Sequence, residues 1–155
     1  MTNSDKKPST KGSLAHLYGG GSRFERLTVV GLGYIGLPTA ALFASRGVRV
    51  TGVDVNEKAV ERINQGQTHI VENGLEELVA SVVAEGTLRA TTGMTPADGF
   101  ILAVPTPFHE GHVPDVTYVE AATRSIAPAI QRGNLVILES TSPVGTTLQV
   151  SEWLA

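Results

Sequence analysis

Short apolar runs alternate along this chain with longer segments in which apolar residues recur every three or four positions. The runs are four to six residues long and predict strands over residues 27–30, 48–53, 88–91, 100–104 and 135–138. Those over 27–30 and 135–138 are expected to be buried, and 100–104 is fully apolar. The periodic segments predict helices that end near Arg46, Gln65, Gly86 and Ile130, and a further helix over 146–154. This alternation predicts an α/β doubly wound fold, with a mostly parallel sheet and helices on both faces.

Particular residues mark the ends of these helices. Asn56 and Asp115 stand where a side chain can accept hydrogen bonds from the first turn of the helix that follows. Gly47 suits the left-handed conformation that closes a helix, and Pro128 is expected to bend or shorten the fourth helix. These end signals agree with the helices that the periodicity predicts.

The two ends of the chain differ from its middle. Residues 1–25 are predicted to be a flexible extension, because most of them are Ser, Thr, Gly or Lys without an apolar period. Residues 26–155 form the predicted domain, whose last helix reaches Ala155 without a glycine or proline to end it. We therefore expect the domain to be truncated at that point.

The composition excludes several classes of protein. With 41% hydrophobic residues and a net charge of −3, the chain is not disordered throughout. It has no cysteine, which excludes a disulfide framework, a zinc ribbon, an iron–sulfur cluster and a thiol nucleophile on this chain. Residues 1–26 hold five basic and two acidic side chains, whereas the rest hold seven basic and thirteen acidic ones. An acidic body of this kind is not expected to bind nucleic acid.

Residues 27–45 form an uncharged run of 19 residues, close to the length that spans a bilayer. A membrane helix would have to contain three glycines and a proline, at positions 31, 33, 36 and 38. A strand, a glycine turn and the start of a helix account for the same residues with less strain. The basic N-terminal residues are followed by no apolar stretch, so a secretory signal is not expected. We expect a cytoplasmic protein with no membrane partner.

A glycine-rich turn, GLGYIG over 31–36, follows the first predicted strand. Gly31 permits a tight turn, Gly33 lets the backbone approach a pyrophosphate, and Gly36 allows close packing of helix on strand. The helix that starts here would direct free N–H groups and its positive dipole end at the phosphates. Asp54 ends the second strand 18 residues after Gly36. This spacing favours a Rossmann-type dinucleotide site over the alternative, a glycine turn that serves packing alone.

Asp54 also indicates which dinucleotide binds. Its carboxylate can accept hydrogen bonds from both ribose hydroxyls of an adenosine, and it would repel a 2′-phosphate. Val55 and Asn56 supply no arginine for such a phosphate, so the sequence predicts NAD rather than NADP. The alternative is that Asp54 merely caps the next helix, a role that Asn56 fills better.

Two later strand ends are expected at the same crevice, outside the carboxyl ends of the strands. The first is residues 104–107, where Thr106 offers a hydroxyl between two prolines. The second is residues 139–147, where Thr146 and Thr147 can either cap the last helix or donate to the cofactor.

Residues 109–112, His-Glu-Gly-His, superficially suggest a metal site. They lack helical spacing and lie among glycine and proline, so we expect a solvated loop and no metal. The same expectation holds for His16 and His69. The order of the residues supports no Ser–His–Asp arrangement either.

Several stretches of the sequence resemble one protein family. They are GLGYIGLPTA, GVDVN, INQGQTHIVENGLEELV, AVPTPF and LVILESTSPVGTT, of which TPF together with ESTSPVG is the most specific pair. Over residues 26–155 the chain is similar to the N-terminal domain of the UDP-glucose/GDP-mannose dehydrogenase family. The resemblance implies an NAD-dependent oxidoreductase that oxidises the C6 alcohol of a UDP-sugar to a carboxylate in two steps.

The resemblance also implies roles for individual residues. Tyr34 and Ile35 would lie at the pyrophosphate, and Asp54 would hold the adenosine ribose. Thr106 and Thr147 fall where the family places cofactor contacts. For the complete enzyme the resemblance implies a homodimer that acts in polysaccharide biosynthesis.

The catalytic apparatus is the part that the resemblance leaves incomplete. Thr141 matches a threonine near the reacting centre and is the one catalytic residue assigned to this chain. The family's catalytic cysteine, its lysine and its sugar-binding domain would lie beyond Ala155, so we expect this chain to bind NAD without turnover. Glu72-Asn73 stands where many relatives have Glu-Pro, so we expect this loop to be less rigid. Ala59 stands where some relatives have a lysine, with Lys58 beside it.

Two alternatives to a nucleotide-sugar dehydrogenase remain. A stand-alone NAD-binding module without catalysis is favoured by the missing cysteine. A different oxidoreductase on the same fold, such as a hydroxyacid dehydrogenase, is disfavoured by the TPF and ESTSPVG pair.

Overall fold

Five parallel strands form the central sheet. The computed structural model describes residues 24–109 and 114–155. The strands lie in the order β3-β2-β1-β4-β5, with every neighbouring pair parallel. They are β1 (Arg26–Val30), β2 (Arg49–Val53), β3 (Leu88–Thr91), β4 (Gly99–Leu102) and β5 (Leu135–Leu138). The doubly wound α/β fold that the sequence predicts is confirmed.

Five helices accompany the strands within the described residues. They are α1 (Gly36–Ser45), α2 (Glu57–Asn64), α3 (Leu75–Ala84), α4 (Thr117–Ile126) and α5 (Thr146–Leu154). Each matches a predicted helix to within a few residues. The predicted extension over residues 1–25 falls outside the described residues except for Phe24 and Glu25.

The helix ends follow the local chemistry of the sequence. Asn56 Oδ1 accepts hydrogen bonds from the N–H groups of Lys58 (3.1 Å) and Ala59 (3.2 Å), as expected of an N-cap. Gly47 adopts a φ of 88° after α1. Pro128 lies in a short 3₁₀ turn, Ala127–Ala129, that ends α4, so the predicted helix toward residue 130 is shortened there.

Two hydrophobic clusters hold the helices against the sheet. On one face α1 and α3 pack over β1, β2 and β4, and the cluster includes Val29, Leu37, Val79 and Ile101. On the other face α4 and α5 pack over β4 and β5, around Phe100, Leu102, Val119 and Val150. Burying each large side chain stabilises the fold by about 1.5–3 kcal/mol, so these clusters fix where the strand ends lie.

Helices cover both faces of the sheet, as predicted, but on the second face they pack mainly over β4 and β5. The seven residues 92–98 join β3 to β4 and have to pass β2 and β1, about 14 Å across the sheet. A seven-residue helix would span only about 11 Å, so the connection crosses this face as a loop, here called the crossover loop. Among the described residues, the α4 and α5 side of β1–β3 therefore carries a loop where such folds usually carry a helix.

Two further details differ from the sequence prediction. β4 ends at Leu102, two residues earlier than predicted, although the N–H of Ala103 still donates to the carbonyl oxygen of Val30 in β1 (2.8 Å). The side chain of Asn64 pairs with the outer edge of β3, accepting from the N–H of Ala90 (2.8 Å) and donating to its carbonyl (2.9 Å).

The long uncharged run from 27 to 45 is divided between β1, the glycine turn and α1. None of the helices in the described part of the chain is long and apolar enough to cross a membrane.

Candidate cofactor site

The glycine turn between β1 and α1 has two positions at which a larger residue would collide with backbone. Gly31 has a φ of 91°, and a Cβ there would lie 2.5 Å from the carbonyl oxygen of Ala103. A Cβ at Gly36 would lie 1.8 Å from the carbonyl oxygen of Gly31. A Cβ at Gly33 would meet no atom within 4 Å. Gly31 and Gly36 are therefore required by the protein's own packing, whereas the space at Gly33 is open.

Helix α1 begins directly at this open space. Its N-terminus has no capping side chain, and its first turn contains no acidic residue, so the positive end of the helix dipole is uncompensated. Tyr34 and Ile35, which precede the helix, are exposed by 74% and 58%. A helix start of this kind can bind the phosphates of a ligand through backbone N–H groups and the dipole.

Asp54 is held in place from both sides at the end of β2. Its Oδ2 accepts a hydrogen bond from the N–H of Leu32 in the glycine turn (2.8 Å). Its Oδ1 accepts from the N–H of Asn56 (2.9 Å), immediately before α2. Each carboxylate oxygen keeps a lone pair for a further donor. The backbone thus fixes a partly buried carboxylate beside the glycine turn, ready to accept from ligand hydroxyls.

An open cleft of about 660 Å³ joins these features at the carboxyl ends of the strands. Its lining is mostly apolar, and Asp54 is the one charged residue among the described residues that line it. The far wall, which the sequence analysis missed, comes from the crossover loop and α4, with Thr92, Met94, Tyr118 and Ser125. A cleft lined by apolar and aromatic side chains beside a carboxylate suits an adenosine.

The turns after β4 and β5 are joined by hydroxyl groups. Ser140 Oγ donates to the carbonyl oxygen of Val104 (2.7 Å), and Thr106 Oγ1 donates to the carbonyl oxygen of Thr141. A third hydroxyl, Thr39 Oγ1 of α1, donates to Glu139 Oε1 (2.9 Å). The glycine-turn helix and the two later strand ends are therefore linked along one edge of the crevice.

The structure places the predicted site residues in three groups. Five of them line the cleft: Gly31, Gly33, Tyr34, Ile35 and Asp54. Gly36 is buried behind the glycine turn. The three threonines do not line the cleft: Thr106 and Thr141 form the link just described, and Thr147 is exposed on α5. Contact of these threonines with a cofactor stays a prediction.

Thr146 fills neither of its two predicted roles. Its hydroxyl donates to the carbonyl oxygen of Pro143 (2.9 Å), and the residue is 2% exposed. Gly145, with a φ of 94°, occupies the N-cap position of α5. The sequence could not show this, because the choice depends on how the turn before α5 folds back.

Of the histidine-containing segment 109–112, the structure describes only His109. His109 Nε2 lies 3.3 Å from the carboxylate of Asp115, while residues 110–112 and His16 lie outside the described residues. The hydroxyl and N–H of Thr117 donate to Asp115 and hold the pKa of its carboxyl below the usual range. Within residues 24–109 and 114–155, no three potential ligands come together as a metal site. The carboxylate serves instead to start α4.

Fold and site together define a dinucleotide-binding domain: a parallel sheet whose first turn is glycine-rich, with an acidic residue ending the second strand. The model of the UDP-glucose/GDP-mannose dehydrogenase family, NAD binding domain, matches residues 25–155. This chain belongs to that family, and the cofactor of its domain is NAD.

Individual curated relatives and solved structures are similar to this chain. The chain is 59% identical over 132 residues to an NDP-N-acetyl-D-galactosaminuronic acid dehydrogenase of Ralstonia nicotianae. It is 58% identical to the UDP-N-acetyl-D-mannosamine dehydrogenase of Escherichia coli K12. Each match covers 85% of this chain and 31% of the relative. The solved UDP-N-acetyl-mannosamine dehydrogenase of Staphylococcus aureus superposes with a TM-score of 0.80 at 42% identity, over 83% of this chain and 32% of that one.

The chain spans about a third of the length of the relatives that it matches. The resemblance that the sequence analysis identified is thus confirmed for the NAD-binding domain.

Proposed function

We propose that this chain is the cofactor-binding part of a UDP-N-acetyl-D-mannosamine 6-dehydrogenase. The complete enzyme would oxidise the C6 alcohol of the sugar to a carboxylate in two NAD-dependent steps. The proposal is supported by family membership and by several relatives near 58% identity that carry this name. Its proposed setting is polysaccharide biosynthesis in the cytoplasm, as a homodimer.

The observation that carries the proposal is the fixed carboxylate of Asp54 beside the open space at Gly33. The residues fit the dinucleotide, because the glycine turn leaves room where a pyrophosphate has to approach the backbone. Asp54 Oδ1 and Oδ2 are already oriented by Asn56 and Leu32, so the ribose hydroxyls meet an acceptor that needs no rearrangement. When bound, NAD supplies the hydride acceptor.

The same carboxylate sets the preference between the two dinucleotides. A 2′-phosphate on the ribose would bring negative charge against Asp54, and no basic side chain lines the described part of the cleft. We therefore propose that NAD binds more tightly than NADP. Isothermal titration calorimetry of the 155-residue chain with each dinucleotide tests this, and equal affinities would contradict it.

The chemistry of the sugar requires groups that this chain does not itself contain. Trapping an aldehyde before the second oxidation calls for a thiolate or a comparable nucleophile, and the sequence has no cysteine. We propose that Thr141, at the linked strand ends, positions a substrate hydroxyl or a water, and that a further domain supplies nucleophile, base and sugar site. Positioning by such a domain can be worth about 7–11 kcal/mol of the barrier.

Turnover separates this proposal from the alternative, a binding module without catalysis. With the isolated chain and UDP-N-acetyl-D-mannosamine, we expect NAD binding and no increase in NADH absorbance. A longer polypeptide that continues past Ala155 with a cysteine is expected to give steady NADH formation. NAD binding without turnover by that longer polypeptide would favour the binding module.

A further inference from the structure

A second cavity lies at the opposite end of the sheet from the cofactor cleft. It has a volume of about 300 Å³ and is formed by the amino ends of β1, β2 and β3 together with the crossover loop. Its lining includes Arg26, Arg49, Thr51, Arg89, Thr95 and Pro96. The proposed function uses none of these side chains.

The crossover loop creates this cavity by dividing one face of the sheet. Thr92 and Met94, in its first half, line the cofactor cleft, whereas Thr95 and Pro96, in its second half, line the second cavity. A helix at this place would have covered the amino ends of the strands. The short loop instead leaves a concave surface there, lined by arginine and threonine side chains among apolar ones.

Three arginines share this surface because of the strand register. Arg26 on β1 is the direct partner of Arg49 on β2, and Arg89 on β3 is the direct partner of Thr51, two residues after Arg49. Partners in parallel strands and residues two apart point to the same face. All three guanidinium groups therefore belong to the face that the crossover loop crosses.

Two carboxylates balance this charge only in part. Asp98 lies 3.3 Å from the guanidinium of Arg26, and Glu25 lies 3.1 Å from that of Arg49. Arg89 makes no ion pair within residues 24–109 and 114–155. Arg26 and Arg49 therefore each have a carboxylate partner, and the positive charge that stays unbalanced on this surface is that of Arg89.

We propose that this second cavity binds a multivalent phosphate-type anion, namely the phosphate or diphosphate group of a small molecule. The planar guanidinium of Arg89 can donate two parallel hydrogen bonds to such a group, and Arg49 can approach it from the adjacent strand. Thr51 is the direct partner of Arg89, lies two residues after Arg49 on β2, and offers a hydroxyl. A volume of about 300 Å³ exceeds what a bare phosphate fills and lies at the lower end of small-molecule pockets.

The test titrates the ¹⁵N-labelled 155-residue chain with inorganic phosphate, pyrophosphate and UDP, followed by amide chemical shifts. Saturating NAD blocks the cofactor cleft, and chloride keeps the ionic strength constant. We expect saturable shifts at Thr51, Arg89 and Thr95. Tighter binding of UDP than of pyrophosphate identifies a nucleotide as the source of the diphosphate, and tighter binding of pyrophosphate identifies a free anion.

Arginine variants decide whether the cavity itself binds. Arg89→Gln is expected to weaken pyrophosphate binding at least tenfold, and Arg89→Lys to weaken it less. Arg132→Gln, which removes an exposed arginine before β5 and outside the cavity, should leave the affinity unchanged. NAD affinity should be the same in all variants.

Three results would overturn the proposal: no saturable shift at the cavity residues, shifts confined to the glycine turn and Asp54, or equal pyrophosphate affinity in Arg89→Gln and Arg132→Gln. Failure of the chain to bind NAD would contradict the proposed function alone, because the shifts at Thr51, Arg89 and Thr95 are read independently of the cofactor cleft.

Discussion

Ser140 Oγ and the carbonyl oxygen of Val104 are joined by a 2.7 Å hydrogen bond between the turns that follow β5 and β4. Thr106 returns the connection by donating to the carbonyl oxygen of Thr141. Val104 and Ser140 are 36 residues apart in the sequence. The two bonds thus join distant turns into one edge of the cofactor crevice. Thr141 belongs to this edge through its backbone carbonyl, so the bond does not use the side chain to which a substrate contact is proposed above.

Replacing Ser140 by alanine tests how much this link stabilises the domain. We expect Ser140→Ala to lower the free energy of unfolding by about 1–2 kcal/mol, because the partly buried carbonyl of Val104 loses its donor. Ser142→Ala in the same turn is the control, since no hydrogen bond involves the Ser142 hydroxyl in the described structure. Urea denaturation measures both, and equal stabilities would contradict the link.

Two alanine substitutions in the glycine turn should have opposite effects. Gly36→Ala brings a Cβ against the carbonyl of Gly31 and should destabilise the fold by about 3 kcal/mol or more. Gly33→Ala meets no protein atom, so the melting temperature should hardly change while NAD affinity falls at least tenfold. Thermal denaturation and calorimetry separate the two. Unchanged NAD affinity in Gly33→Ala would show that the turn serves packing alone.

The preference for NAD should depend on the charge of Asp54. Asp54→Asn keeps the shape of the side chain but removes the charge that repels a 2′-phosphate. We expect NAD to lose about 1.5–3 kcal/mol of binding free energy and the gap between NAD and NADP to narrow. Glu57→Gln, on the exposed start of α2 and outside the cleft lining, is the matched control. Equal losses in both variants would count against a specific role for Asp54.

Asp98 should make the stability of the chain depend on acidic pH. The N–H groups of Arg26 and Glu25 donate to this carboxylate and, with the Arg26 guanidinium, lower its pKa below the usual value. Because the folded-state pKa is depressed, the stabilisation is present above about pH 4 and is lost as the pH falls through the folded-state pKa. Asp98→Asn should flatten the loss of stability in this window, which denaturation between neutral and strongly acidic pH measures. An unchanged slope would contradict the assignment.

Asn64 is expected to stabilise the edge strand β3. Its amide makes two hydrogen bonds to the backbone of Ala90, so Asn64→Ala should cost about 1–3 kcal/mol of unfolding free energy. Amide hydrogen exchange at Ala90 should become faster in the variant. Gln65→Ala, at the exposed residue that follows, serves as the control.

The sequence predicted best what local chemistry determines. The Asn56 cap, the left-handed Gly47 and the position of Asp54 after β2 all depend on neighbours a few residues away, and the structure contains each of them. Hydrophobic spacing likewise located all five strands. The predicted burial of residues 135–138 was wrong, because β5 is an edge strand and leaves Leu135 and Ile137 exposed by 47% and 41%.

Features that depend on distant partners could not be read from the sequence. Met94 and Tyr118 become the far wall of the cleft only after the crossover loop and α4 come together. The bond from Thr106 to Thr141 requires β4 and β5 to be neighbours in a set register. The absence of a helix between β3 and β4 could be read from the sequence in part. The shortness of the connection, residues 92–99 between the predicted strands, was visible in the sequence, but its consequence follows only from the strand order.

The side-chain amide of Asn64 makes the two edges of the sheet unequal as sites for pairing with a further strand. By occupying both backbone groups of Ala90, it presents a side chain where another β-strand would have to pair, as protective devices on edge strands do. Self-association through β3 would first have to break two hydrogen bonds. A further strand would therefore pair at lower cost along the opposite edge of the sheet, next to β5.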